Sequence, residues 1–266
     1  MIIVGELINS SRTAVKEAIE RRDRAVIEKL AVDQQEAGAD YIDVNAGVFG
    51  GEEARHLTWL VETVQAAVEL PCCIDSPDPH AMEAALAVHR GTPLINSISL
   101  EKDRYEALLP LLAGSDFKVV ALCMSDDGMP ETAGQRLAVA DKLIQGLTGS
   151  GVALANIHVD PLVQPVATNG AYGREFLAAI ELIMEEFSGV HTMCGLSNIS
   201  FGLPNRKLLN RTFVAMAIAR GLDGAIVNPL DTRMIAAIRA AEAINGQDEY
   251  CQAFIKAHRA GILEAA

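Results

Sequence analysis

The chain has 266 residues, half of them apolar and only 5% aromatic, so any core must be aliphatic. Its formal charge is -13 and its pI about 4.9, which argues against nucleic acid and anionic membrane surfaces as partners, because both demand basic patches. No apolar run approaches the ~18 residues a membrane span requires. The first residues, Met1 to Glu6, carry no basic region ahead of their short apolar run and read as a strand rather than a signal peptide. Of five cysteines, Cys72, Cys73, Cys123 and Cys194 lie in apolar strand-like runs; Cys251 makes the count odd. Buried reduced thiols in a cytoplasmic protein are expected.

In chain order, short β-rich apolar runs alternate with longer amphipathic ones. Strands are predicted at 2–8, 41–45, 72–75, 94–98, 119–124, 157–162, 191–198 and 225–228. Helices are predicted at 13–22, 25–37, 52–68, 79–89, 101–112, 132–147, 173–187, 205–220, 232–245 and 248–258. Near-continuous apolar strands imply a parallel sheet covered on both faces. Eight strand–helix units in a chain of this length predict an α/β fold of the (β/α)8 TIM-barrel type, as one domain over residues 1–266.

Such a barrel carries its active site at the C-terminal ends of its strands. Those ends are here rich in carboxylates and amides: Glu6 and Asn9, Asp43 and Asn45, Asp75 and Ser76, Asn96 and Ser97, Asp126, Asp160, Ser197, Asn198 and Ser200, Asn228 and Asp231. Taken singly, each is an ordinary turn or helix-capping residue. Repetition at nearly every strand end weakens that reading. Asp43, Asp75 and Asp160 also follow β-branched residues, so part-burial is expected, and a buried carboxylate needs partners. A flat, nitrogen-rich ring bearing amino and amide N–H donors suits such a set better than a phosphate does. Clustered carboxylates are also a Mg²⁺ ligand set. The six histidines lack ligand spacing, however, and the amide-rich company favours an organic ligand, so no metal is expected. There is no P-loop, dinucleotide fingerprint or nucleophile elbow.

The motifs Gly5-Glu6-Leu7-Ile8-Asn9, Asp43-Val44-Asn45, Ile74-Asp75-Ser76, Ile95-Asn96-Ser97, Asp160-Pro161-Leu162, Gly195-Leu196-Ser197-Asn198-Ile199-Ser200 and Asn205-Arg206 occur in this order. Together they resemble the pterin-binding barrel family. That family includes dihydropteroate synthases, the folate domain of cobalamin-dependent methionine synthase, and methyltetrahydrofolate:corrinoid protein methyltransferases. The resemblance is nearest to the last group and spans essentially the whole chain. It implies methyl transfer between the N5 position of methyltetrahydrofolate and the cobalt of a corrinoid (cobalamin), in either direction. By the same resemblance, Asp75, Asn96 and Asp160 hold the pterin, with Glu6, Asp43, Ser200 and Arg206 around it. Asn198 bonds the methyl-bearing nitrogen, acting with Asp160 or a water in catalysis.

The D-x-H-x-x-G signature of cobalamin-binding modules is missing: Asp78-Pro79-His80 lacks the glycine. A separate corrinoid protein is therefore the expected partner, docking over the mouth. A homodimer is implied by the resemblance alone. Phe201 stands where some relatives carry a polar residue. The rival readings are a dihydropteroate-synthase-like transferase and a non-catalytic folate-binding module. The first would carry a Lys-bearing motif in strand seven and an Arg-x-His motif near strand eight. Those places read Gly195-Leu196-Ser197-Asn198 and Asn228-Pro229-Leu230-Asp231.

Overall fold

In the computed structural model, which describes residues 1–263, strands and helices alternate around one sheet. The chain begins with β1 (Ile2–Asn9), α1 (Thr13–Glu20), α2 (Arg24–Glu36) and β2 (Tyr41–Asn45). It continues through α3 (Glu53–Ala67), β3 (Cys72–Asp75), α4 (Pro79–Leu86), β4 (Leu94–Leu100) and α5 (Lys102–Leu112). Next come β5 (Lys118–Ser125), α6 (Ala133–Gly149), β6 (Ile157–Asp160) and α7 (Tyr172–Glu186). The last elements are β7 (His191–Thr192), α8 (Arg206–Ile218), β8 (Gly224–Val227), α9 (Thr232–Ile244) and α10 (Gln252–Arg259). All eight strands are parallel, in the order β7-β6-β5-β4-β3-β2-β1-β8. The Ile226 N–H donates to Cys194 O at 2.9 Å, and this bridge joins the two outermost strands into a nearly closed barrel. The predicted α/β barrel is the observed fold.

Two apolar layers follow from the two faces of each strand. Ile42, Val44, Ile74, Ile95, Val119, Ala121 and Val159 point outward into the layer beneath the helices. Val4, Tyr41, Cys73, Leu94, Val120 and Met193 fill the barrel interior. Alternation carries the inward set straight on to polar residues: Tyr41 to Asp43 and Asn45, Cys73 to Asp75, Leu94 to Asn96, His158 to Asp160. In the ladder, Asn9 lies beside Asn45, Asn45 beside Asp75, and Asp75 beside Asn96. Four neighbouring strands therefore present one row of polar groups at one level of the mouth.

Two predicted strands are too long. The strand expected to reach Leu162 ends at Asp160, and Leu162 takes φ 64°. The strand expected over 191–198 is only His191–Thr192; residues Leu196–Ser200 form a 3-10 turn instead. Asn198 thus sits in a turn, not at a strand end. The helix expected to run to His89 stops at Leu86, and the last helix starts only at Gln252. α6 begins where predicted, because Thr132 and Gln135 form a reciprocal capping box.

β1 carries a register shift between Gly5 and Ile8. Gln34 of α2 lies against it: its Oε1 accepts from Leu7 N at 3.0 Å. A Cβ at Gly5 would stand 2.4 Å from that oxygen, so only glycine allows this approach. The irregular step presents Glu6 to the mouth.

Candidate active site

A cavity of about 660 Å³ opens at the C-terminal mouth of the barrel. Glu6, Asp43, Asp75, Asn96, Asp160, Asn198 and Arg206 all line it, together with Arg12, Lys207 and Asn210. Residues up to two hundred apart in sequence meet there. Ser200 does not join them: it is fully buried behind the wall. The 3-10 turn aims its hydroxyl at Ser197 O, 3.3 Å away, and that hydroxyl accepts from Arg206 Nε at 3.0 Å. Asn228 and Asp231 line the cavity too but also take ordinary turn and capping roles, and Asp126 lies outside it. Asn228 Oδ1 accepts from Leu230 N at 2.9 Å, Asp231 caps α9 and pairs with Arg211, and Asp126 accepts from Lys102 N.

The inward carboxylates sit in a poor solvent for charge. Asp43 is 2% exposed, and its Oδ1 is buried without a hydrogen-bond partner. Burial, then the charge of Asp75 alongside, pushes Asp43 well above the ordinary carboxylate range, against hydrogen bonds from Cys73 and Asn96. Burial also raises Asp75, while the Asn45 amide and the Arg104 charge pull it back. At least one carboxyl of this pair keeps its proton where an exposed aspartate has lost it. Asp160 is 8% exposed, and burial lifts it to about 7 despite backbone N–H groups of Leu162 and Gly195 and the charge of Arg136. Burial raises Glu6 as well, opposed by Arg12, 3.0 Å away, and Arg206. Such carboxyls are poised to accept or share protons with a donor-rich ligand near neutral pH.

A ring of side chains behind the wall fixes these groups. Asn45 Nδ2 donates to Asp75 Oδ2 at 2.9 Å, while Asn45 Oδ1 accepts from Ser10 Oγ at 2.9 Å and Gly47 N at 3.0 Å. That network sets which end of the amide faces Asp75. Arg104 of α5 donates to the carbonyls of Ser97, Pro77 and Ser76 at 2.8, 3.0 and 3.0 Å, tying the β3 and β4 ends together. Arg136 of α6 is fully buried; its Nε donates to Pro161 O at 2.7 Å and its Nη2 to Gln164 Oε1 at 3.3 Å. It holds the loop that follows Asp160. Arg206 donates to Ser197 O at 2.7 Å as well as to Ser200, so its guanidinium brackets Asn198. Sequence reading missed Arg104 and Arg136 because each sits on a helix and bonds backbone carbonyls that lie 25 or more positions away, at the end of β3 and after β6. Among the described residues, no group of three His, Cys, Asp or Glu side chains is placed to hold a metal ion.

Residues 5–228 match the family described as pterin binding enzyme. The chain belongs to the pterin-binding enzyme family. This member is 39% identical over 263 residues to the methylcorrinoid:tetrahydrofolate methyltransferase of Eubacterium limosum, covering 98% of this chain and 97% of that one. It is 30% identical over 241 residues to the methionine synthase of Mycobacterium tuberculosis, covering 86% of this chain but only 20% of that much longer protein. Its fold is similar to a dihydropteroate synthase of Coxiella burnetii solved in complex with pteroic acid, with TM-score 0.71, 17% identity, and coverage of 93% and 94% of the two chains. A dihydropteroate synthase of Xanthomonas albilineans with 4-aminobenzoic acid matches with TM-score 0.70 at 20% identity over 91% of this chain and 92% of that one. At that identity the structures speak for the shared barrel only.

Proposed function

We propose that this pterin-binding enzyme is a methyltransferase that moves a methyl group between N5 of tetrahydrofolate and the cobalt of a corrinoid carried by a separate protein. The observation that carries the reading is the barrel-mouth cavity floored by raised-pKa carboxyls and amides, in a chain akin along its full length to a methylcorrinoid:tetrahydrofolate methyltransferase. Asp43, Asp75, Asn96 and Asp160 offer the acceptors that a pterin's amino and ring N–H groups need, which offsets the cost of burying them. Glu6 and Arg206 stand at the edge of the ring. Ser200 acts through Arg206, not on the ligand.

The cobalt in its reduced state supplies the electron pair that takes up the methyl group. The chain's own task is the other half of the bond. As the methyl leaves, the electron pair of the C–N bond returns to N5, and a tertiary amine is a poor leaving group unless N5 is protonated or strongly hydrogen-bonded. Asp160, with a pKa near 7, is placed to share a proton with the ring, directly or through a water. Asn198 holds N5 through its amide, a bond that strengthens as charge develops there. In the reverse direction Asp160, directly or through a water, receives the proton that N5 sheds as it attacks the methyl group.

The corrinoid protein docks over the mouth, where Phe201 is 64% exposed with the Arg206 guanidinium 6.0 Å from its ring centre. Met129 and Val48 are exposed on other loops of the same face. The enzyme works in the cytoplasm as a homodimer built on α7 and α8. Leu177, Leu209, Phe213 and Met216 line an apolar groove of about 430 Å³ between them. Arg174, Glu181 and Arg220 line the same groove, so a two-fold pairing brings both signs of charge to the interface. A sedimentation mass of one chain would refute the dimer. Methyl transfer is tested by mixing the enzyme, methyltetrahydrofolate and a reduced corrinoid protein. Loss of the Co(I) absorbance that depends on the enzyme supports the reading, and an unchanged band sinks it. Formation of dihydropteroate from a pterin pyrophosphate and 4-aminobenzoate would instead favour the synthase reading.

A further inference from the structure

We infer that Glu53 and Arg104 are positioning residues for the pterin site, acting through Asp75: from two helices, and with opposite sign, they set how readily that carboxyl carries its negative charge. This rests on the proposed folate reading and names what controls one of its binding groups. Glu53 opens α3 and is only 3% exposed. Among the described residues its carboxylate has one hydrogen-bond partner and no ion pair. That partner is the Ser76 hydroxyl, which donates to Glu53 Oε1 and accepts from Asp78 N at 3.0 Å. Ser76 follows Asp75 in the chain, and alternation turns the two side chains to opposite sides. Arg104, on α5, gives its N–H groups to the carbonyls of Ser76, Pro77 and Ser97 and likewise pairs with no carboxylate. Asp75 lines the cavity; Glu53 and Arg104 do not.

A buried carboxylate bonded only to a neutral hydroxyl is unfavourable, and the N-terminal end of α3 offsets part of that. Glutamine would make the same bond to Ser76 without burying a charge, so the bond alone does not account for an acid here. What only the acid supplies is its field. That field disfavours a charge on Asp75, and the Arg104 charge favours it. Both act through protein, where salt screens little. The other titratable groups around Asp75 are Asp43 on β2, Cys73 on β3, Glu6 on β1 and Asp160 on β6, while Asn45 and Asn96 beside it are neutral. Asp78, past Ser76, caps α4. Those acids of the mouth are the site itself; Glu53 and Arg104 are the charges set behind it. A pterin's amino and ring N–H groups need Asp75 as an acceptor, so binding weakens when Asp75 takes up a proton. Glu53 brings that loss towards neutral pH, and Arg104 holds it towards acid.

The test measures 6-methyltetrahydropterin binding by titration calorimetry from about pH 5 to about pH 8 in wild type, Glu53→Gln and Arg104→Gln. In parallel, the Asp75 carboxyl of the ligand-free proteins is titrated by carbon NMR with labelled aspartate, its resonance assigned by its loss in Asp75→Asn. The ligand's own titration is common to all variants and cancels in the comparison. Glu53→Gln keeps the acceptor for Ser76 and removes the charge. Its acid limb of binding should move down by about half to one pH unit, raising affinity at the acid end about threefold to tenfold and leaving it nearly unchanged at about pH 8. Arg104→Gln should move the limb the other way, and Arg104→Lys should restore it. The Asp75 resonance should move with the limb in each case. A merely structural role would weaken binding equally at every pH and leave the limb in place. An Asp75 midpoint unmoved in Glu53→Gln, or moved the same way in Glu53→Gln and Arg104→Gln, overturns the inference; Glu53→Gln decides it alone where Arg104→Gln does not fold. A wild type that binds no pterin overturns the folate reading instead, while the resonance still reports on Glu53.

Discussion

Replacing Asp160 with asparagine separates the chemical task of this residue from its structural one. Burial lifts its pKa from 3.8 to about 7. The native state therefore holds a proton that the unfolded chain releases above about pH 4. Native stability falls as pH climbs through that window and levels off once the folded group has also ionised, above about pH 7. A shift of roughly three pH units, at ~1.4 kcal/mol per unit, makes the full penalty on the order of 4 kcal/mol above about pH 8. About half of that develops between about pH 5.5 and pH 8. Asparagine keeps the oxygen that accepts from Leu162 N at 2.7 Å and carries no titrating proton. Asp160→Asn should therefore be more stable than wild type, and its advantage should grow by about 2 kcal/mol over that pH span. Urea unfolding at several pH values measures it. The same variant should lose methyl transfer by at least about a hundredfold, the scale of a missing general acid–base group. A stability difference that stays flat with pH would show that Asp160 titrates normally and would refute the burial argument.

Asn198→Ala should raise the barrier by about 2 kcal/mol or more in single-turnover methyl transfer, with tetrahydrofolate affinity reduced far less, because its bond strengthens along the reaction. Full activity in that variant would remove Asn198 from the mechanism. Asn45→Ala strips Asp75 of its 2.9 Å donor, so the Asp75 pKa should rise further and pterin affinity should fall about tenfold, with the loss greatest at neutral pH. Arg136→Met leaves Pro161 O and Gln164 unbonded beside the cavity and should lower stability by roughly 2–4 kcal/mol in denaturant melts. Phe201→Ser should raise the KM for the corrinoid protein several-fold without moving tetrahydrofolate affinity; a shift in the latter would place the ring in the folate site instead.

The barrel was legible in the sequence because each strand repeats one physical pattern. An outward aliphatic packs under a helix, an inward residue fills the axis, and two residues later the inward position becomes polar. Asp43, Asp75, Asn96 and Asp160 are the polar ends of that inward series, which is why a search for polar residues at the C-terminal ends of the strands singles them out. Asn198 is a different case. Met193-Cys194 is as apolar as a strand, yet Gly195 hands the chain to a 3-10 turn, and hydrophobic periodicity does not register where a two-residue strand gives way to a turn. The family resemblance puts Ser200 near the ligand; in the fold its hydroxyl bonds Ser197 O and accepts from Arg206. Arg104 and Arg136 left no local trace at all. Arg104 reaches Ser97 O seven positions back and also Pro77 O and Ser76 O, 27 and 28 positions back, while Arg136 reaches Pro161 O, 25 positions on; only the fold brings the distant pairs together.

The central claim is that this cavity transfers a methyl group between a folate nitrogen and a corrinoid. Its most direct test is the rate of Co(I) absorbance decay on mixing enzyme, methyltetrahydrofolate and a reduced corrinoid protein, with Asp160→Asn and Asn198→Ala run alongside. The account predicts rapid decay with wild type and a strong slowing in both variants. Decay at the same rate with both variants, or none with wild type, would contradict it.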